Sequence, residues 1–394
     1  MLHRLGDFFL RTYYWICAVA LFLCVSEGKA VAAEDVLVTR IDAIFSPLAD
    51  NKSPGVAVLV RKDGHTVFER GYGVRELHSL AKIDAQTNFR LASCSKQFTA
   101  MSIMLLVHDG KLHYDDKLTD VFPHFPAYGK TITIRNLLNH TSGLPDYEDL
   151  MDAAEKRKGV PIWTPTSQIQ DAEVLNLLEK ETAGKFTPGT QWSYSNSGYV
   201  VLGLVVAKAS GQPFREFLRE RIFIPLRMSQ TLAFEKGKNE VSQRAYGHSK
   251  EGNVWKQSDQ SPTSATLGDG GIYSSLTDLA KWDEALAQHA LLSEKEMQPP
   301  LTPAQLTSNA QPKWPANSDR PEGTTVSYGF GWFLDPYRNH PRMWHYGDTI
   351  GFHSYIARFT TDRLTIIILC NRTDLDPESL ALKVADLYFS AANK

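Results

Sequence analysis

A chain of 394 residues with 42 Lys+Arg against 44 Asp+Glu carries a net charge of -2 at pH 7, so it has neither the basic surface that nucleic acid or an anionic membrane attracts nor an acidic tail. Its apolar content of 43% supports a large core, in one big domain or two ordinary ones. Its four cysteines, Cys17, Cys24, Cys94 and Cys370, are too few and too scattered to read as a disulfide framework.

At the start, Arg4 and Arg11 precede an apolar run over 13–25, and Ala30-Val31-Ala32-Ala33 offers small residues at the spacing a signal peptidase accepts. The run is shorter than the ~20 residues a membrane span needs. Residues 1–33 therefore read as a cleaved signal peptide, leaving 34–394 as a periplasmic or secreted domain with no membrane attachment. Cleavage would remove Cys17 and Cys24 and leave Cys94 and Cys370.

Residues 34–48 then set Leu37, Ile41, Ile44, Phe45 and Leu48 at helical spacing. Two β-rich runs, 55–60 and 66–69, flank Lys62-Asp63-Gly64, and Asp-Gly is a strong hairpin signal. The next stretch, 88–110, organises the chain. From Lys96 to Val107 it is apolar on nearly every side, with Gly110 where a C-cap belongs, which predicts a buried central helix with Ser93 on its first turn. A three-residue step puts Ser93 and Lys96 on one face. A lysine in apolar surroundings must pair or lose its charge, and a neutral amine beside a hydroxyl can take its proton. The plain alternative is a capping serine and a lysine that snorkels to solvent. Cys94 reads as a small buried packing residue, not a nucleophile.

Residues 112–260 are mostly helical and loop sequence, with apolar residues at helical spacing in 171–180 and 199–210. Within it, the loop Trp192-Ser193-Tyr194-Ser195-Asn196 has two readings. Tyr194 packs and Asn196 caps the next helix, or Tyr194 moves protons beside a lysine and Asn196 offers its amide to a substrate. Farther on, Trp344-His345-Tyr346-Gly347-Asp348 precedes the β-rich runs 351–359 and 364–369, and Leu380, Val384, Leu387 and Tyr388 mark a closing helix that Pro377 can start. A helix and a hairpin at each end predict an α+β fold, an α/β sandwich: one antiparallel sheet formed by both chain ends and flanked by helices. The sheet lobe would span about 34–111 and 261–394, and a mostly helical second lobe about 112–260. A cleft between lobes is the usual place for a site.

In order and spacing, Ser93-x-x-Lys96, Tyr194-Ser195-Asn196 and His345-Tyr346-Gly347 resemble the serine hydrolase family that holds class C β-lactamases, penicillin-binding D,D-peptidases and related esterases. Linking phrases extend the likeness from about residue 40 to the end: Leu138-Asn139-His140-Thr141-Ser142-Gly143-Leu144, Phe186-Thr187-Pro188-Gly189, Gly268-Asp269-Gly270-Gly271 and Tyr328-Gly329-Phe330-Gly331-Trp332. The resemblance implies a β-lactamase/transpeptidase-like fold and a covalent acyl-enzyme on Ser93, formed from an ester or amide in a small molecule or peptide. Lys96 and Tyr194 would share the proton transfers, and the backbone N–H groups of Ser93 and Asp348 would hold the oxyanion. Asn196, His345, Gly347 and Asp348 would meet the substrate.

One departure matters. The family's third motif usually begins with a lysine that attracts a substrate carboxylate, whereas His345 is mostly neutral at pH 7. Strong β-lactam hydrolysis is therefore not expected, His345 would instead hydrogen-bond the tyrosine or the leaving group, and Asp348 would repel anionic substrates. The alternatives are a D-alanyl-D-alanine carboxypeptidase, a D-amino-acid peptidase or weak β-lactamase, and a catalytically inactive penicillin-binding-like scaffold. Retention of Ser93, Lys96 and Tyr194 together speaks against the last. No metal or cofactor is expected: His140 and His248 lack paired ligand spacing, and no phosphate loop, dinucleotide fingerprint or Gly-x-Ser-x-Gly elbow occurs.

Overall fold

The computed structural model describes residues 35–316, 318 and 320–391. The expected signal peptide lies outside the described residues, among which no helix is long and apolar enough to cross a membrane.

Helix α1 spans residues 35–45. It leads to strands β1 (Val56–Lys62) and β2 (His65–Tyr72), whose turn places Asp63 at φ 53° and Gly64 at φ 83°. Both values are left-handed, as a two-residue Asp-Gly hairpin turn requires. From the other end come β3 (Arg342–Thr349), β4 (Phe352–Phe359) and β5 (Leu364–Cys370), and the five form one antiparallel sheet in the order β2-β1-β5-β4-β3. The chain ends meet at its centre, where Val58 pairs with Ile368.

β1 from Val56 to Val60 and β5 from Ile366 to Cys370 are apolar at every position because both faces are covered. Val56, Val58, Val60, Ile366 and Ile368 face α1 and the closing helix α5 (Pro377–Ala391), packing against Ile41, Phe45, Val384 and Phe389. Ala57, Leu59, Ile367 and Leu369 face the opposite way, toward helix α2 (Lys96–His108) and helix α4 (Leu276–Ala287). A buried charge network ties α4 to that face: Arg61 and Arg358 hold the two carboxylate oxygens of Asp283 at 2.8 and 2.7 Å.

Helix α2 lies between the sheet and helix α3 (Asn196–Ser210), and this position explains its sequence. It buries Phe98, Met101, Met104 and Leu105 in the main core and packs on α3, so that every residue from Lys96 to Leu106 is buried. Two short pairings that periodicity does not reveal complete the lobes. Ile272–Ser274 lies between Phe89–Arg90 and Leu232–Ala233, and His248–Glu251 pairs with Val254–Gln257. Strands of two to four residues carry no readable alternation.

Candidate active site

Ser93 is not on the first turn of α2. The chain leaves the short strand Phe89–Arg90, enters the left-handed region at Ala92 (φ 49°), and makes a 3-10 turn over Ala92–Ser95 before α2 begins at Lys96. A left-handed alanine costs on the order of 1 kcal/mol. The surroundings hold it there: Leu91 N–H donates to Ile272 O at 2.9 Å, and Ile272 N–H donates to Ser95 Oγ at 3.2 Å. Edge strand β3 presses on the same turn. A Cβ on Gly347 would stand 2.1 Å from Leu91 O, so only glycine permits this approach.

Lys96 is fully buried, and Nζ has three acceptors: Ser93 Oγ at 3.0 Å, Asn196 Oδ1 at 2.9 Å and Asp269 O at 3.0 Å. They match the three donors of an ammonium. Burial pulls the amine down from 10.5 to about 8, against an upward pull from Asp269, Glu148 and Asp146 among its neighbours. On that value about one molecule in ten holds a neutral amine at pH 7, and in that form the Ser93 hydroxyl can donate to it.

The Tyr194 ring lies 4.8 Å from Lys96 Nζ, and its buried hydroxyl has no hydrogen bond of ordinary geometry. Burial raises the phenol well above 10; the Tyr346 hydroxyl adds to this, and a weaker interaction with the Ser93 side chain opposes it. Tyr194 is thus a neutral phenol, a donor in the resting site. Asn196 is not the cap of α3. Ser195 is, its hydroxyl accepting from Gly198 N–H at 3.0 Å, which leaves the Asn196 amide free to accept from Lys96.

The segment 342–349, expected as a lead-in to a strand, is the edge strand itself. A two-residue turn, Ile350-Gly351, closes it with Thr349 opposite Phe352. Alternation along an antiparallel ladder then points the N–H groups of residues 344, 346 and 348 away from β4. Trp344 N–H accordingly bonds Phe333 O on that outer side. His345 is fully buried, with Nε2 3.1 Å from Tyr328 Oη and Nδ1 2.6 Å from Tyr346 O. Burial, with Lys96 nearby, lowers it to about 3, so it is neutral. Both ring nitrogens are taken up by protein groups, and the imidazole is fully enclosed. The Asp348 side chain is mostly exposed and pairs with His353 Nε2 at 3.2 Å.

The whole constellation has counterparts among known proteins. The Beta-lactamase family model matches residues 41–389. The chain belongs to the β-lactamase family. A penicillin-binding protein of Bacillus subtilis (strain 168) is 30% identical over 364 residues, covering 88% of this chain and 75% of that protein. Among solved structures, a penicillin-binding protein from Bacillus halodurans superposes with a TM-score of 0.69 at 26% identity, covering 90% of this chain and 98% of the other. A D-amino acid amidase from Ochrobactrum anthropi SV3 gives 0.72 at 24% identity, covering 91% and 98%. The last likeness is one of fold alone. The architecture is the β-lactamase/transpeptidase type, as the sequence motifs imply.

Within this β-lactamase-family site, Ser93, Lys96, Tyr194 and Asn196 converge, and Gly347 is packed against the turn that carries Ser93. Cys94 lies behind it, fully buried, with Sγ donating to His345 O at 3.3 Å and burial holding the thiol protonated. Two residues that the sequence offers only inside linking phrases, with no role attached, also stand at the site: Asp269, whose carbonyl holds Lys96, and Tyr328, which holds His345. The depressed amine has a kinetic consequence. If Lys96 takes the Ser93 proton, activity rises with pH as the amine deprotonates, with a midpoint near 8. A kcat/KM profile on a neutral ester from pH 5 to 10 checks this, and a flat profile across 7–9 would exclude Lys96 as the acceptor.

Proposed function

We propose that the protein is a serine hydrolase that cleaves an ester or amide through an acyl-enzyme on Ser93. One observation carries the reading: the fully buried Lys96 amine stands 3.0 Å from the Ser93 hydroxyl, and burial draws its pKa down to about 8. Ser93 Oγ passes its proton to Lys96 and attacks the substrate carbonyl. The N–H groups of Ser93 and Asp348 receive the oxyanion, a kind of donor whose loss typically costs about 3 kcal/mol. Tyr194, protonated at rest, donates to the leaving group and is reprotonated through Lys96. Water then repeats the sequence in reverse and releases the acid. Asn196 orients the substrate while holding Lys96, and His345 sets the position of β3 from inside the protein.

The charges favour substrates without a carboxylate. The third motif presents no cation to the cleft, and the carboxylates acting on Lys96 come from Asp269, Glu148 and Asp146. The same acids favour a second reading, an amidase for amino-acid amides with a free ammonium. Export of the enzyme rests on the apolar run at 13–25. With a 4-nitrophenyl ester the reading predicts a burst of about one nitrophenolate per enzyme before the steady state. Absence of both burst and turnover on esters, amino-acid amides, β-lactams and D-amino-acid peptides would favour the inactive scaffold.

A further inference from the structure

The phrase Asn139-His140-Thr141-Ser142-Gly143 is not used in the chemistry above, yet it sits directly beneath it. His140 is fully buried and adopts a left-handed backbone (φ 63°). Its Nδ1 accepts the backbone N–H of Ser195 at 3.1 Å, and its carbonyl accepts the N–H of Ser193 at 3.0 Å. The imidazole lies 4.4 Å from the Tyr194 ring, 4.5 Å from Tyr328, 5.1 Å from Tyr199 and 5.8 Å from Trp192, centre to centre.

We propose that His140 is a positioning residue for the reaction at Ser93: its Nδ1 and ring face hold Tyr194-Ser195-Asn196 in register with Lys96. This rests on the acyl-enzyme reading. Ser195 caps α3, so its hydroxyl is already committed to Gly198 N–H. The bond to His140 commits its backbone N–H as well. With both fixed, Asn196 on one side reaches Lys96 at 2.9 Å, and Tyr194 on the other lays its ring 4.8 Å from the same amine. A small drift of Ser195 would move the phenol and the amide together, and displacements of about 1 Å at such a site cost about a hundredfold in rate.

The role requires an uncharged imidazole, because a protonated Nδ1 cannot accept. Burial, then Lys96 and His345, hold His140 well below 6.5. The remaining titratable groups packed on it are the phenols of Tyr194, Tyr199 and Tyr328, all raised by burial and so neutral. His140 therefore keeps its acceptor across the working pH range and adds no titration of its own.

Two substitutions separate positioning from packing. His140→Asn keeps an acceptor atom where Nδ1 stands and tolerates a left-handed backbone; His140→Phe keeps a ring and loses the acceptor. Active sites are counted with a fluorophosphonate, and kcat for 4-nitrophenyl butyrate is expressed per titrated site. His140→Phe is expected to lose about a hundredfold in kcat per site with KM within threefold, and His140→Asn to keep at least a tenth of the wild-type value. Equal losses in both variants, an unchanged kcat per site in His140→Phe, or an Asn variant that fails to fold would overturn the assignment. A wild-type protein that the probe does not label at Ser93 would instead refute the acyl-enzyme reading.

Discussion

Replacing Lys96 with methionine is expected to lower kcat/KM for any ester substrate at least a thousandfold while leaving the protein folded. The amine is the group best placed to accept the Ser93 proton, at 3.0 Å, whereas burial keeps Tyr194 protonated. Stability is a separate matter. A lysine lowered from 10.5 to about 8 binds its proton less well in the folded state than in the unfolded one. The unfolded chain therefore holds more protons between those values, and stability rises with pH across that window. Below pH 8 the full penalty of the buried charge is present, on the order of 3 kcal/mol. Methionine removes it but leaves Asp269 O and Asn196 Oδ1 without a donor, a loss of about 1–3 kcal/mol. The two nearly cancel, so the thermal midpoint at pH 7 should stay within a few degrees of wild type. The wild type alone should gain stability between pH 8 and 10. A variant that unfolds along with its activity would make Lys96 a structural residue.

Gly347→Ala should be nearly as damaging without touching a catalytic side chain. The added methyl would stand 2.1 Å from Leu91 O and 3.2 Å from the Ala92 Cβ, so β3 must move off the turn that carries Ser93. On the proposed mechanism, that motion draws the Asp348 N–H away from the oxyanion formed at Ser93. A drop of about a hundredfold in kcat, with a smaller change in KM, is expected from such a displacement. Steady-state kinetics on the folded variant give the answer. Wild-type kcat would mean that β3 takes no part in catalysis.

Much of this architecture is legible in the residues because the strongest signals are also the deepest ones. Apolar residues fill both faces of β1 and β5 since helices cover each face, and α2 is apolar on nearly every side for the same reason. The Ser93–Lys96 contact follows from a step of three residues. Other features depend on choices that a linear pattern does not encode. Nothing about an alanine announces the left-handed Ala92 that throws Ser93 onto a 3-10 turn. The Gly347-Asp348 pair has low strand propensity, so the segment reads as a lead-in to a strand, although its pairing with β4 is continuous from Arg342 to Thr349. The face that His345 presents is set by the register of that pairing, a tertiary fact. Ser195 and Asn196 are both good capping residues, and their roles are told apart only by what lies opposite, namely Lys96. His140 stayed within a linking phrase because its partners, Ser195 and Tyr194, are more than fifty residues away.

The claim on which all else depends is that a substrate acyl group becomes attached to Ser93 Oγ. The most direct measurement is mass spectrometry of the protein after a fluorophosphonate probe, with peptide mapping of wild type and Ser93→Ala. One adduct per chain on the peptide containing Ser93, lost in Ser93→Ala together with esterase activity, is the predicted result. Hydrolysis that survives in Ser93→Ala, or an adduct carried only by another residue, would contradict it.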